Sequence, residues 1–246
     1  MLRAYSLGAA LACAVLLISC GEDEPPPPPD LPADRMLDRA IARVPASGRA
    51  SIDLEAEYPR LTSGPISAQL EGPFALGAGI PSFDLEGEAQ AAGFGVDGSL
   101  VSTGGDAYVV FFGENYRVGR DRVAALALRT AGVDPSAWFG APRHAGDEEV
   151  EGEDAYRIEA PLDSERVAAD LGRIGLAAAG AGGLEGSRAI VWVGVDDGIV
   201  RRIRLSSEAL DLDAVLSDLG EPQEIEPPPG GGFQPIEQLL ERIPGL

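Results

Sequence analysis

From Ile52 onward the chain alternates apolar and polar residues with a period of two, and the repetition of that pattern commits most of it to an antiparallel sheet. Ile52, Leu54, Ala56 and Tyr58 fall on one face of the first segment, and Asp53, Glu55 and Glu57 on the other. A strand with one apolar and one charged face is buried on one side only, the arrangement antiparallel sheets permit. The period returns at Ile66, Ala68 and Leu70, at Phe83, Leu85, Gly87 and Ala89, and at Phe94, Val96, Gly98 and Leu100. Gly, Pro or Asp turn residues bound each set. Ala107–Phe112 and Asn115–Val118, joined by Gly113 and Glu114, predict a tight hairpin, and Ile190–Val195 and Ile199–Ser206 flank a second turn at Asp196, Asp197 and Gly198.

Helical spacing interrupts the strands at a few places. Asp34 precedes Met36, Leu37, Ala40, Ile41 and Val44, and Asp121 precedes Val123, Leu126 and Ala127 in a helix ending near Gly132. A helical insertion then runs through Asp134, Pro135, Trp138 and Phe139 and gives way near Glu149 to a strand with Val150, Tyr156 and Ile158. Asp163 opens another helix with Val167, Ala168 and Leu171 inward; the Gly and Ala stretch from Gly172 to Gly186 has no clear period. Ile236, Leu239, Leu240 and Ile243 recur at helical spacing after the flexible Pro227–Gly232, in a segment suited to packing back on the body or to meeting a partner. The class is therefore α+β, dominated by a strongly curved antiparallel sheet that needs glycine at its bends. Its inward positions mix bulky residues with Gly and Ala, which suits an apolar cavity and a solid core alike.

The first twenty residues are a signal of a different kind. Arg3, the apolar run from Leu7 to Ile18, and Ser19 directly before Cys20 match a lipoprotein signal peptide over residues 1–19, with acylation expected on Cys20. The apolar run is shorter than the roughly 20 residues that span a bilayer. Cys20 and the tether GEDEPPPPPDLP, residues 20–33, would hold the folded part off the membrane in extended polyproline geometry. The expected organisation continues with a body over 34–227 and a Gly-rich linker with an amphipathic segment over 228–246. The protein is expected outside the cytoplasm, anchored to the cell membrane or, in a cell with two membranes, to the outer one.

Charge and inventory exclude several functions. The formal net charge is −21, and −22 once Arg3 leaves with the signal peptide, which opposes nucleic acid and anionic surfaces. All nineteen basic residues are arginine, so lysine chemistry is absent. Cys13 leaves with the signal peptide and Cys20 is acylated, so the mature body has no free thiol. His144 is the only histidine and sits in an expected loop without a Gly-x-Ser-x-Gly elbow elsewhere. The acidic run Asp147, Glu148, Glu149, Glu151, Glu153 and Asp154 lacks the spacing of a calcium loop and reads as solvated charge. Gly180–Gly183 is not followed by the lysine of a phosphate loop. No catalytic residue, metal or cofactor is expected.

Three stretches, GDAYVVFFGENYRV from Gly105, EEVEGEDAYRIEAPLD and AIVWVGVDDGIVRRIRLS, resemble in their order the LppX/LprG group of actinobacterial lipoproteins. Val150, Gly152, Tyr156 and Ile158, then Leu162 and Asp163, and later Trp192, Asp197, Gly198 and Arg202, carry the likeness. The resemblance implies a half-barrel, similar also to LolA and LolB, wrapped around helices and carrying lipids or lipoglycans between envelope layers. It implies an acyl lipid or glycolipid as partner, with a lipid transporter to exchange cargo. The expected lining is Phe83, Leu85, Phe94, Val96 and Leu100 from the early strands, with Tyr108, Val110, Phe112, Ile190 and Trp192 from the later ones. A one-residue slip would move a whole strand's contribution to the other face. The other reading is a non-enzymatic interaction lipoprotein with a solid core, acting through the C-terminal segment or Trp138 and Phe139. The tail from Gly230 and the proline tether have no counterpart in the resemblance.

Overall fold

The computed structural model describes residues 31–43, 45–57, 65–76, 80–91, 94–130, 133–173, 184–208 and 210–242. The expected signal peptide, Cys20 and nearly all of the tether lie outside these residues, as do Tyr58, Gly180–Gly183 and Ile243.

Helix α1 (Ala33–Ala42) is followed by a meander of six strands: β1 (Ser47–Glu57), β2 (Pro65–Ala75), β3 (Ser82–Ala91), β4 (Phe94–Thr103), β5 (Ala107–Phe111) and β6 (Glu114–Val118). Helix α2 (Arg120–Thr130) and a 3-10 turn (Pro135–Trp138) lead to β7 (Arg143–Val150) and β8 (Glu153–Pro161). Helix α3 (Ser164–Arg173) precedes β9 (Arg188–Gly194), β10 (Val200–Ser206) and β11 (Leu210–Ser217). A two-residue strand, β12 (Gln234–Pro235), runs into helix α4 (Ile236–Arg242). Strand β11 pairs antiparallel with β1, from Arg49 opposite Ser217 to Ala56 opposite Leu210, and so fuses the two meanders. The result is one open, curved sheet in the order β12-β6-β5-β4-β3-β2-β1-β11-β10-β9-β8-β7, antiparallel except where β12 joins β6. It is an α+β half-barrel with α1, α3 and α4 laid on the inner face.

Several local expectations are corrected. The latter part of the insertion before Glu149 is strand β7, whose residues RHAGDEEV are polar on both faces and carry no apolar period. As an edge strand it needs a neighbour on one side only, and β8 supplies it. The helix at Asp134 is one 3-10 turn, with the Asp134 carboxylate accepting from the Ser136 amide at 3.2 Å. The turn between β5 and β6 is Phe112-Gly113, one residue earlier than expected. Strand β11 was not anticipated, although Leu210, Leu212, Ala214 and Leu216 alternate with Asp211 and Asp213.

A cross-strand row defines the inner face. Ile52 stands opposite Ala214 on one side and Leu70 on the other, and the row continues through Ile203, Val191 and Ile158 in one direction and Gly87, Gly98 and Phe111 in the other. Helix α1 lays Met36, Leu37, Ala40 and Ile41 onto this face, where they join Trp138, Val167, Ile52, Ile158, Val191 and Leu212 in the main core. Each large apolar side chain so buried contributes about 1.5–3 kcal/mol. Asp170 of α3, wholly buried, accepts from Trp138 Nε1 at 2.8 Å and faces Arg173 at 3.1 Å, which ties α3 to the 3-10 turn. Two glycines allow the sheet to curl. A Cβ on Gly72 would lie 1.8 Å from the Asp84 carbonyl oxygen, and one on Gly87 1.8 Å from that of Gln69.

After β11 the chain returns toward the far edge. Gly220 donates to the Ser47 carbonyl at 2.9 Å, Asn115 Nδ2 donates to the Pro229 carbonyl at 3.2 Å, and the Phe233 ring sits 4.9 Å from Tyr108 on the outer face. The segment then adds β12 to the edge of β6. Helix α4 packs Ile236 and Leu239 on Tyr116, beside Val109, Phe111 and Val118. The tail thus hooks round the β6 edge, which covers backbone groups that would otherwise invite another strand.

Candidate functional site

The inner face carries two apolar clusters that do not merge. The larger lies under α1 and α3 and reaches Phe74 and Leu85, with Leu70 and Phe83 packed at its margin. The smaller is the Tyr116, Ile236 and Leu239 group at the opposite edge. Between them Ala68, Ala89 and Val96 stand opposite one another across three strands, Gly87 faces Gly98 in the next inward row, and Leu100 faces Leu85 in the row after. Ala68, Ala89, Val96 and Leu100 belong to neither cluster and are half-buried. From the Val96 row to the Leu100 row the strip is about 13 Å long at 3.3 Å per residue.

Its chemistry is apolar throughout. The charged residues of the same strands, Glu71, Glu86, Glu88 and Asp97, turn to the other face, where with Arg49, Ser99 and Val110 they line an open acidic groove. Small side chains at four positions flanked by bulky ones make a floor that recedes from the clusters on both sides. The side chains of that strip offer no group for acid-base, nucleophilic or metal chemistry.

The ten residues expected to line one face are divided by the structure. Phe83, Leu85, Val96 and Leu100 are on the inner face; Phe94 begins β4, and its side chain lies outside the described set. Tyr108 and Val110 are on the outer face, the first against Phe233 and the second in the acidic groove. Ile190 and Trp192 are also outside. Trp192 is buried there with Val150 and Ala155 next to Ile190 and Val215, donates from Nε1 to Glu148 at 2.7 Å, and lies 4.9 Å beneath the Arg202 guanidinium. Phe112 is in the hairpin turn, 74% exposed. Strands reading AYVVF and RAIVWVG are apolar on both faces, so alternation does not reveal which parity points inward. The inner residues of those strands are Val109 and Phe111, and Val191 and Val193. Only their register against Leu100 and Ile158 identifies them.

The remaining candidates have ordinary partners. His144 lies on strand β7 and not in a loop; its Nε2 is 2.8 Å from Asp147 Oδ1, and its ring packs edge-on against Tyr156 at 5.5 Å. In the acidic run, Glu148 faces Arg157 and Trp192, while Glu153 accepts from Arg201 Nε at 2.6 Å. Among the described residues no group of three or more His, Cys, Asp or Glu is placed to hold a metal ion. Trp138, an expected partner contact, is buried against Asp170.

No protein-family profile matches the chain, and no curated relative matches it in sequence. Solved structures do. LprF from Mycobacterium bovis superposes with a TM-score of 0.53 at 14% identity, over 84% of this chain and 100% of that one. The Mycobacterium tuberculosis lipoprotein LppX gives 0.51 at 13% identity, over 79% of this chain and 97% of that one. At such identity they establish architecture and nothing finer. The chain has the LppX/LprG-type half-barrel fold.

Proposed function

We propose that this protein is a membrane-anchored, extracytoplasmic lipoprotein that binds an acyl lipid or glycolipid along the inner-face strip and carries it between envelope layers. The observation that supports it best is the row of Ala68, Ala89 and Val96, with Gly87 and Gly98 beside it, left between two separate apolar clusters. A solid core would place bulk at those positions. The lipoprotein signal at Cys20 supports the anchor, and the curved sheet with helices packed on its inner face supports the binding surface. No step of carriage requires a reacting group.

Native mass spectrometry with organic extraction, on the full chain purified from a lipid-containing host, tests this reading. A stoichiometric acyl lipid or glycolipid is expected. Val96→Trp should fill the strip and abolish the bound mass, whereas Val110→Trp, on the opposite face of the neighbouring strand, should leave it. A lipid-free mass that persists on titration with lipid would sink the carrier reading in favour of an interaction lipoprotein with a solid core.

A further inference from the structure

The turn between β5 and β6 spends its most favourable position on an aromatic residue. Phe112 and Gly113 both have positive φ, at 52° and 72°, in a two-residue connection between Phe111 and Glu114. This is the backbone of a type I′ turn, whose first position favours Asn, Asp or Gly and penalises a bulky side chain. The chain builds the same turn a second time, between β7 and β8, with Glu151 at φ 51° and Gly152 at 82°. There the first position is a solvated acid, as an exposed turn requires nothing more. At the first turn it is a phenylalanine that packs edge-on against Phe111 at 4.7 Å and is otherwise in water. Among the described residues Phe112 is the only large apolar side chain that stands mostly in solvent.

The turn also has a place relative to the strip. Strand β5 accompanies β4 only from Gly98 to Ser102, so the Phe94–Asp97 end of β4 has no strand on that side among the described residues. Val96 therefore stands at a side of the strip that β5 does not close, next to the Phe112 turn. On the outer side of the same corner lie Glu86, Glu88 and Asp97. The chain charge is −21, and the one arginine of that acidic groove, Arg49, is paired with Glu71 at 3.1 Å, so this corner repels anionic headgroups. Contact with a bilayer at this corner must come from apolar and aromatic surface, and an aromatic ring is suited to the interface between headgroups and acyl chains.

We propose that Phe112 is the point at which the folded domain touches a lipid bilayer, beside the side entrance of the inner-face strip. The contact rests on the carrier reading for its purpose but makes a separate physical claim. Backbone strain at an exposed turn is retained because the aromatic ring meets membrane there.

The test places a reporter in each of the two type I′ turns of the full chain. Phe112→Trp and Glu151→Trp variants are added to phosphatidylcholine vesicles with ordinary or dibrominated acyl chains, over the background of buried Trp138 and Trp192. The Phe112→Trp emission is expected to shift to the blue and to be quenched by the brominated lipid, and the Glu151→Trp emission to do neither. Equal emission of Phe112→Trp in both vesicles, or quenching no greater than at Glu151→Trp, overturns the proposal. A Phe112→Asn variant gives an independent reading, because the turn's own preference predicts a higher Tm while the membrane contact predicts slower lipid transfer between vesicles. A higher Tm with unchanged transfer also overturns it. Extracted lipid separates the two claims: bound lipid without quenching removes the contact alone, and quenching without bound lipid removes the carrier reading alone.

Discussion

Single residues show how much of the buried chemistry depends on partners from distant elements. Asp170 has no exposed surface, and its carboxylate is held by Trp138 Nε1 and by Arg173, with Arg166 at 3.9 Å. Asp170→Ala leaves the indole donor buried without a partner and is expected to cost about 3 kcal/mol, read as a fall in the urea midpoint at unchanged m-value. Asp84 works in the other direction. Burial, with Glu86 nearby, pushes its carboxyl above the usual carboxylate range. A group whose folded pKa is raised favours folding in its protonated form, so the cost is absent below pH about 4 and grows as pH rises through the raised value. Asp84→Asn is therefore expected to be more stable than the parent at pH 7, by less than about 1 kcal/mol because the group keeps much of its water, with the gap closing as pH falls to 4. Thermal melts across that range check it, and a gap that widens on acidification would contradict the sign. Asp106 shows the opposite sign. Hydrogen bonds from Arg120 and Arg117 hold its carboxyl well below the usual range, so its contribution is lost only in stronger acid.

Elements were legible in the sequence where one face was apolar and the other charged. Strand β1 carries Ile52, Leu54 and Ala56 against Asp53, Glu55 and Glu57, and its faces in the structure are those the alternation implies. Strand β7 is polar on both faces, β9 is apolar on both, and neither has a readable parity. The outer face can accept Ile190 and Trp192 because Arg202, itself fixed by Asp213 at 2.8 Å, lies over the indole. Curvature is likewise set between strands. The approach of β2 to β3 at Gly87 leaves no space for a methyl group, so Gly87→Ala must push the two backbones apart. A destabilisation of about 2 kcal/mol or more is expected, measured by chemical denaturation, with lipid occupancy falling as the strip flattens.

At the scale of the whole molecule, the pairing of β1 with β11 joins two meanders that are each local in sequence. It brings Ser217 beside Arg49 and completes the floor on which α1 packs. The long separation makes that ladder costly in loop-closure entropy. The C-terminal segment then secures the other end, with Phe233 on the outer face and Ile236 and Leu239 on the inner one. The amino-acid sequence by itself determined the strand-rich class, most element positions and the absence of lysine, because these depend on local period and inventory. It also carries the Cys20 signal that underlies the proposed anchor. Tertiary structure alone decided which face of β5 and β9 turns inward, that the tail hooks round the β6 edge, and that small residues from three strands align into one apolar strip. Those outcomes depend on inter-strand register, and register is fixed by contacts between residues that no local period connects.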